Sequence, residues 1–382
     1  MATSPIYLDY AATTPVDPRV TEVMIRVLRD PIAFANPSST QHAFGLAAAN
    51  QVAQAREQLA AALQVTAKGI IWTSGATEAN NLAIKGFAYA NSARGKHLIT
   101  VVTEHKAVLD CFSALAKQGF RITLLPVNNQ GFVDLEQLRQ ALTIDTLLVS
   151  VMAVNNETGV IQDIAAIAAI VHAHGARLHV DAVQALGKIP MTEIGQHADL
   201  FSITAHKIYG PKGVGALVLR DDPRLKLVPL LHGGNQEHAL RAGTLAPHQL
   251  LGFAEAAELA VSEWAHNTAH IRALNQHLLA GFALLPQIAV HSWLAPRVPH
   301  IVNISVQGVD GETLSKAYNQ CMAVSNGSAC NVNTKQPSHV LLAQGIPLAL
   351  AQASLRFSLG KMTTASDIEA ALDYLRYLLR NI

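Results

Sequence analysis

The sequence predicts an α/β fold: a mainly parallel central sheet covered on both faces, followed by a smaller α+β unit. Three observations predict it. Between about residues 45 and 220, short apolar runs alternate with Ala/Leu/Gln-rich runs of helical spacing. Runs such as Leu147-Leu148-Val149-Ser150-Val151-Met152 are apolar throughout, as in strands buried on both faces. Beyond Phe282 the pattern changes to short strands and two helices.

In order, the predicted strands are Gly69–Thr73, His97–Val102, Arg121–Pro126, Thr146–Val154, Arg177–Asp181, Leu200–Thr204 and Val214–Leu219. The helical patterns between them are Ala47–Leu63, Glu78–Ala90, Ala107–Gln118, Leu135–Ala141 and Ile164–His174. A long helical stretch, Pro247 to Phe282, is expected to break near His266–Asn267. The smaller unit is expected to use strands Ile288–Trp293, Ile301–Val306 and Leu355–Leu359, with helices Gly311–Asn319 and Ala365–Arg380. The expected division is a large domain over 15–258 and a small domain of 1–14 with 259–382.

Composition narrows the function. The 382 residues are 50% hydrophobic and 14% charged, enough for a large core. Lys+Arg 28 against Asp+Glu 27 leaves a net charge of +1, which argues against nucleic acid or a membrane surface as partner. The cysteines, Cys111, Cys321 and Cys330, are too scattered for a disulfide framework or a Cys-x-x-Cys metal site, so a reducing, cytoplasmic setting and no metal are expected. No secretory signal is visible at the N-terminus, and the Ala-rich run Ile161 to Val171 is too short to span a bilayer.

The chemistry lies at the strand ends, where open α/β sheets bind ligands. After Ile70-Ile71-Trp72 comes Thr73-Ser74-Gly75-Ala76-Thr77-Glu78. This turn leads into a helix whose free N–H groups suit phosphate; the plainer alternative is a helix cap by Ser74 or Thr77. Next come His105, an aromatic platform or proton carrier, and Asn155-Asn156-Glu157, either a turn or a set of ligand hydrogen bonds. Asp181 ends a buried strand, where an acid needs a partner, and Gln184 follows it. Lys207 lies just past another strand, in Thr204-Ala205-His206-Lys207, as a candidate Schiff-base amine or a solvated loop lysine. A phosphate cradle, an acid for a pyridinium and a Schiff-base lysine together describe a pyridoxal phosphate (PLP) site. No Gly-x-Gly-x-x-Gly follows a strand, so a dinucleotide is not supported. Cys330, in Ser328-Ala329-Cys330, ends a turn-prone run of small residues; it is either a small apolar contact or a thiolate able to reach a cleft or a partner.

The ordered set resembles the NifS/IscS-type cysteine desulfurases, class V aminotransferase relatives with the fold-type I PLP architecture. The resemblance runs from Tyr7-Leu8-Asp9-Tyr10-Ala11-Ala12-Thr13-Thr14-Pro15 through Asn36-Pro37, Thr103-Glu104-His105-Lys106, Val180-Asp181-Ala182-Val183-Gln184 and His206-Lys207-Ile208-Tyr209-Gly210 to Ser328-Ala329-Cys330 and Leu355-Arg356-Phe357. It implies that Lys207 holds PLP as an internal aldimine and that Asp181 pairs with the ring nitrogen. Gln184 would bond the ring hydroxyl oxygen, and His105 would stack on the ring and move protons. Ala76, Thr77, Thr204 and His206 would hold the phosphate, and Thr244 would reach the phosphate of a second subunit in a homodimer. Asn36, Asn156 and Arg356 would hold L-cysteine, with Arg356 gripping its carboxylate. Cys330 would take the sulfur as a persulfide and pass it to an acceptor protein of iron–sulfur cluster assembly or another thiolation pathway.

Departures from the family pattern are Ala35, Thr204-Ala205, Asn326 and His238. The chain ends at Ile382, without the further C-terminal segment by which the housekeeping iron–sulfur enzymes dock a scaffold protein. Alternatives are a selenocysteine lyase, another class V PLP enzyme, or a non-catalytic scaffold that keeps the fold.

Overall fold

The computed structural model describes residues 6–318, 322–326 and 336–381. Cys321 and Cys330 lie outside the described residues, so the expectation for Cys330 is carried by the sequence. In chain order the strands are β1 (Ile6–Tyr7), β2 (Ile70–Thr73), β3 (His97–Val101), β4 (Arg121–Leu125), β5 (Thr146–Met152), β6 (Arg177–Asp181), β7 (Leu200–Thr204), β8 (Gly215–Leu219), β9 (Ile288–Val290), β10 (Ile301–Val306), β11 (Met322–Ala323) and β12 (Ser354–Ser358).

Seven of them form the central sheet, in the order β2-β8-β7-β6-β5-β3-β4. β8 runs antiparallel to both neighbours, and every other pairing is parallel. β2, β3, β5, β6 and β7 therefore point the same way. Their carboxyl ends, which carry the Ser74 turn, His105, Asn156, Asp181 and Lys207, share one edge of the sheet.

Alternate residues along a strand face opposite sides, and the core follows that period. Ile70, Trp72, Val149, Val180, Ile203 and Phe253 belong to one apolar cluster. Ile71, Phe87, Leu98, Phe112, Leu148 and Leu217 belong to the other. A third cluster gathers Leu8 with Ile271, Phe282, Val302, Leu355, Phe357 and Leu372. There the helices Trp264–Ala283 and Ala365–Asn381 approach so closely that a Cβ at Gly281 would lie 2.4 Å from Leu372 Cδ1. A larger residue at Gly281 forces them apart, and overpacking of this kind costs about 1–3 kcal/mol.

Two local expectations differ from the structure, and one helix has no expectation to match it. The helices Pro247–Ser262 and Trp264–Ala283 meet at Glu263, earlier than His266–Asn267. There the Glu263 carboxylate is held by Arg19 and Lys361, which fixes the bend. β9 stops at Val290 rather than Trp293, because Ser292 adopts φ 51° and turns the chain out of the extended region. The helix Pro18–Leu28, packed on Pro247–Ser262, was not read from the apolar pattern. Its signal was Asp17-Pro18: the Asp17 side chain accepts from Arg19 N, and proline suits the first helical turn. Among the described residues no helix is long and apolar enough to cross a membrane.

Candidate active site

The N-terminal segment clasps the turn that carries Lys207. Thr14 N and its hydroxyl both donate to His206 O, at 3.0 and 3.1 Å. Tyr209 N donates to Thr14 Oγ1 at 2.8 Å, and Asp17 N donates to Tyr209 O at 2.9 Å. Lys207 Nζ donates to the carbonyls of Ala11 and Ala12, each at 2.6 Å. The Tyr7-to-Pro15 motif thus folds back across the sheet edge and places two acceptors at the amine.

Asp181 closes β6 and is 5% exposed. Asn80 Nδ2 donates to Asp181 Oδ2 at 2.8 Å, and Val183 N donates to Oδ1 at 3.1 Å. Among the described residues no lysine, arginine or histidine forms an ion pair with it. A buried carboxylate with neutral donors and no protein cation fits a protonated ring nitrogen, the donor PLP presents. Gln184 Nε2 donates to Ala11 O at 2.9 Å, and Lys188 Nζ donates to Gln184 Oε1 at 2.8 Å.

At the end of β2 the chain passes Gly75 with φ 155°, ψ 179°, a conformation essentially restricted to glycine, and enters the helix Ala76–Asn81. Thr77 is exposed there. A Cβ at Gly75 would lie 3.9 Å from Thr204 Oγ1, so the Gly75 turn and Thr204 are neighbours. Ala76 and Thr77 offer helix-start N–H groups to an anion. Thr204 Oγ1 donates to Val214 O at 3.0 Å, and that proton must swing away to serve a phosphate oxygen. His206 Nδ1 meets Thr13 Oγ1 at 3.2 Å. Burial first, and then the charges of Lys207, Lys212 and Lys188, push its imidazole down to about 4, so it meets an anion as a neutral donor.

His105 caps the helix Lys106–Ala116, its Nδ1 accepting from Ala107 N at 3.1 Å. A neutral ring therefore carries its proton on Nε2. Glu104, beneath it, is 0% exposed and accepts from Met152 N at 2.8 Å. Burial, with the nearby charge of Asp181, pushes its carboxyl well above the usual range. Of the asparagine pair, Asn155 is structural: its Oδ1 accepts from Glu157 N and Thr158 N, and its Nδ2 donates to Thr103 O. Asn156 stays half-buried beside Arg356.

Arg356, on β12, is 2% exposed. Its Nη2 donates to Asp9 Oδ1 at 2.7 Å and its Nη1 to Asn156 O at 2.9 Å, while Nε has no acceptor among the described residues. A buried guanidinium with a spare N–H fits a substrate carboxylate. The described residues on either side of the Cys330 segment tie to this neighbourhood. Ser325 exchanges backbone hydrogen bonds with Arg356. Ser338 donates to the buried Glu157 at 2.5 Å, and His339 Nε2 lies 2.9 Å from Glu104 O.

Asn36 and Thr244 stand apart from this constellation. Asn36 is exposed, and its Oδ1 accepts from Ser38 N at 2.9 Å. Thr244 is exposed, just beyond Arg241, whose Nε donates to Glu78 beyond the Gly75 turn at 2.8 Å. His238 sits in a strained run: Glu237, His238 and Ala239 have φ of 49°, 58° and 62°. Glu237 holds the run, pairing with Arg56 at 2.6 Å and accepting from Trp72 N at 2.7 Å.

Cys111 is buried, and burial pushes its thiol up to about 11, which suits packing rather than nucleophilic chemistry. His172 pairs with Asp199 at 2.8 Å. Among the described residues no group of three or more His, Cys, Asp or Glu could hold a metal ion. Asn80, Asp9 and Lys188 were missed by the sequence reading. A buried acid and a buried arginine each demand partners, but the sequence does not say where those lie.

Residues 6–371 match the family model Aminotransferase class-V. Cysteine desulfurase IscS of Methylococcus capsulatus is 49% identical over 372 residues, covering 97% of this chain and 92% of that protein. A solved NifS-like protein superposes with a TM-score of 0.91 at 35% identity, covering 99% of this chain and 100% of its own. DndA from Streptomyces lividans gives a TM-score of 0.78 at 40% identity, covering 93% of this chain and 99% of its own. With the family model matched over nearly its whole length, the chain belongs to the aminotransferase class-V family.

Proposed function

We propose that the protein is a PLP-dependent cysteine desulfurase. It takes L-cysteine to L-alanine, leaves the sulfur as a persulfide on Cys330 and passes it to an acceptor protein. The observation that carries the reading is the buried Asp181, with no cation paired to it among the described residues, on the same sheet edge as the Lys207 turn. When bound, PLP supplies an electron sink that weakens bonds next to the substrate amine. Lys207 would hold it through Nζ, Asp181 would keep its ring nitrogen protonated, and the second N–H of Gln184 Nε2 would meet the ring hydroxyl oxygen. Ala76, Thr77, Thr204 and His206 would receive its phosphate.

Arg356 Nε and the Asn156 side chain would orient the cysteine carboxylate. His105, with its proton on Nε2, and the Lys207 amine would move protons at the substrate carbons. The substrate C–S bond breaks, a new S–S bond forms at Cys330, and the released carbon is protonated to alanine. The substrate carbon is reduced as its C–S bond becomes C–H, which balances the oxidation of sulfur to the persulfide, so no external oxidant is consumed. The anchored flanks of the Cys330 loop, at Ser325 and Ser338, support delivery of the thiol to this edge.

The enzyme would act as a homodimer in the cytoplasm, with Asn36 and Thr244 completing sites across the interface. Exposed Phe34 (74%), Phe44 and Leu46 beside Asn36 support that arrangement. The acceptor would belong to iron–sulfur cluster assembly or another thiolation pathway. The division into 15–258 and 1–14 with 259–382 is part of the proposal, supported by the separate apolar cluster around Leu8, Phe282 and Phe357. The test is borohydride reduction after loading with PLP, followed by peptide mapping, with alanine assayed in parallel. Label on Lys207, and loss of both label and alanine formation in Lys207→Ala, are expected. Label elsewhere would refute the assignment.

A further inference from the structure

Lys188 is buried, 9% exposed, four residues beyond Gln184. Its Nζ donates to Gln184 Oε1 at 2.8 Å. Gln184 Nε2 donates to Ala11 O at 2.9 Å, and Lys207 Nζ donates to that same carbonyl at 2.6 Å. One side chain and one carbonyl therefore join the Lys188 amine to the Lys207 amine. Lys188 and Lys207 also line one cavity of about 40 Å³.

A carboxamide has two orientations that exchange its oxygen and nitrogen. Lys188 has only donors to offer as an ammonium, so it draws Oε1 to itself and turns the NH2 toward Ala11 and the site. We propose that Lys188 is a positioning residue for the reaction: by fixing the Gln184 amide it holds the Ala11 carbonyl and the Lys207 amine in register from behind. The proposal rests on the reading that Lys207 carries PLP.

The histidines and tyrosines near Lys188 are held neutral near pH 7. Burial pushes His300 down to about 3 and His206 down to about 4. Tyr10 and Tyr209 are raised by burial and stay neutral. Asp17 and Lys361 are paired with each other. Burial, and then Lys207, push Lys188 itself down to about 7. The two amines remain as the groups whose arrangement a pH titration of the cofactor reads.

The experiment is a spectral pH titration of the PLP-loaded enzyme, with steady-state kinetics, for Lys188→Met, Lys188→Gln, Gln184→Leu and the Met/Leu double variant. Lys188→Met is expected to raise the absorbance midpoint by about half a unit or more, as the Gln184 donor is lost from the ring oxygen. It is also expected to lower kcat about tenfold, with KM changed less than about twofold. Lys188→Gln keeps a donor and is expected to stay within about half a unit of wild type. In the Gln184→Leu background, Lys188→Met is expected to move the midpoint less than it does in wild type, only the effect of the lost Lys188 charge remaining. An unmoved midpoint in Lys188→Met, or an equal shift in both backgrounds, overturns the proposal. Should Lys188→Met fail to fold, Lys188→Gln decides: a midpoint moved by about half a unit or more overturns it. Absence of borohydride label on wild-type Lys207 overturns the PLP reading and this proposal together. A labelled Lys207 with an unmoved Lys188→Met midpoint overturns this proposal alone.

Discussion

Asn80→Leu keeps the side chain's bulk and removes the donor that meets Asp181 Oδ2 at 2.8 Å. Asn80 and Asp181 are 1% and 5% exposed, so water does not replace it. Among the described residues Asp181 then retains the Val183 N–H, at 3.1 Å. A hydrogen bond to a charged group contributes about 1.5–3 kcal/mol, a factor of roughly 10 to 150. In apoprotein that loss falls on folding, and urea unfolding should show a stability about 2 kcal/mol lower. With PLP bound, the ring nitrogen gives Asp181 a second donor, so the holoprotein should lose less than the apoprotein. Turnover should fall at least about tenfold, because the carboxylate is no longer aimed by two groups. Urea titrations of both forms, followed by circular dichroism, measure the difference, with alanine formation as the rate assay. Equal loss in apo and holo forms, or no loss in either, would refute the reasoning.

Further outcomes follow from the same geometry. Ser338→Ala frees the buried Glu157 end of the cysteine loop and should slow persulfide formation about tenfold, leaving PLP uptake unchanged; an unchanged rate removes the anchor role. Glu237→Ala strands Arg56 and the Trp72 N–H and should cost roughly 3 kcal/mol in urea unfolding. His179 and His300 are pushed down to about 3 by burial, so their folded forms bind fewer protons than the unfolded chain below about pH 6.5. Their stabilisation is full above that pH and is lost on acidification, about 1.4 kcal/mol per pH unit for each, and urea midpoints from pH 7 to 5 should fall accordingly. Lys188, pushed down to about 7, works the same way at higher pH. Stability should rise between about pH 7 and 10, and Lys188→Met should flatten that rise.

The sheet and its functional edge were legible because buried strands announce themselves as unbroken apolar runs, and their ends follow. Asp181, Lys207 and His105 fall at those ends, and strand direction alone brings them to one side. Asn155 and Asn156 looked alike as a pair; only the turn geometry assigns the first to the backbone and leaves the second beside Arg356. Partners were illegible where they lie far along the chain. Asn80 meets Asp181, and Asp9 meets Arg356, across separations no local period encodes. Nothing local marks Lys188 as buried, and its burial appears only once the N-terminal segment folds over Gln184.

The central claim is that Cys330 takes sulfur from L-cysteine activated at Lys207. The direct measurement is mass spectrometry of the PLP-loaded enzyme after one turnover with L-cysteine, with alanine quantified in the same sample. The account requires one added sulfur on the Cys330 peptide in step with alanine, and loss of both in Cys330→Ser. Alanine and sulfide released at the wild-type rate by Cys330→Ser, or sulfur found on Cys111 instead, would contradict it.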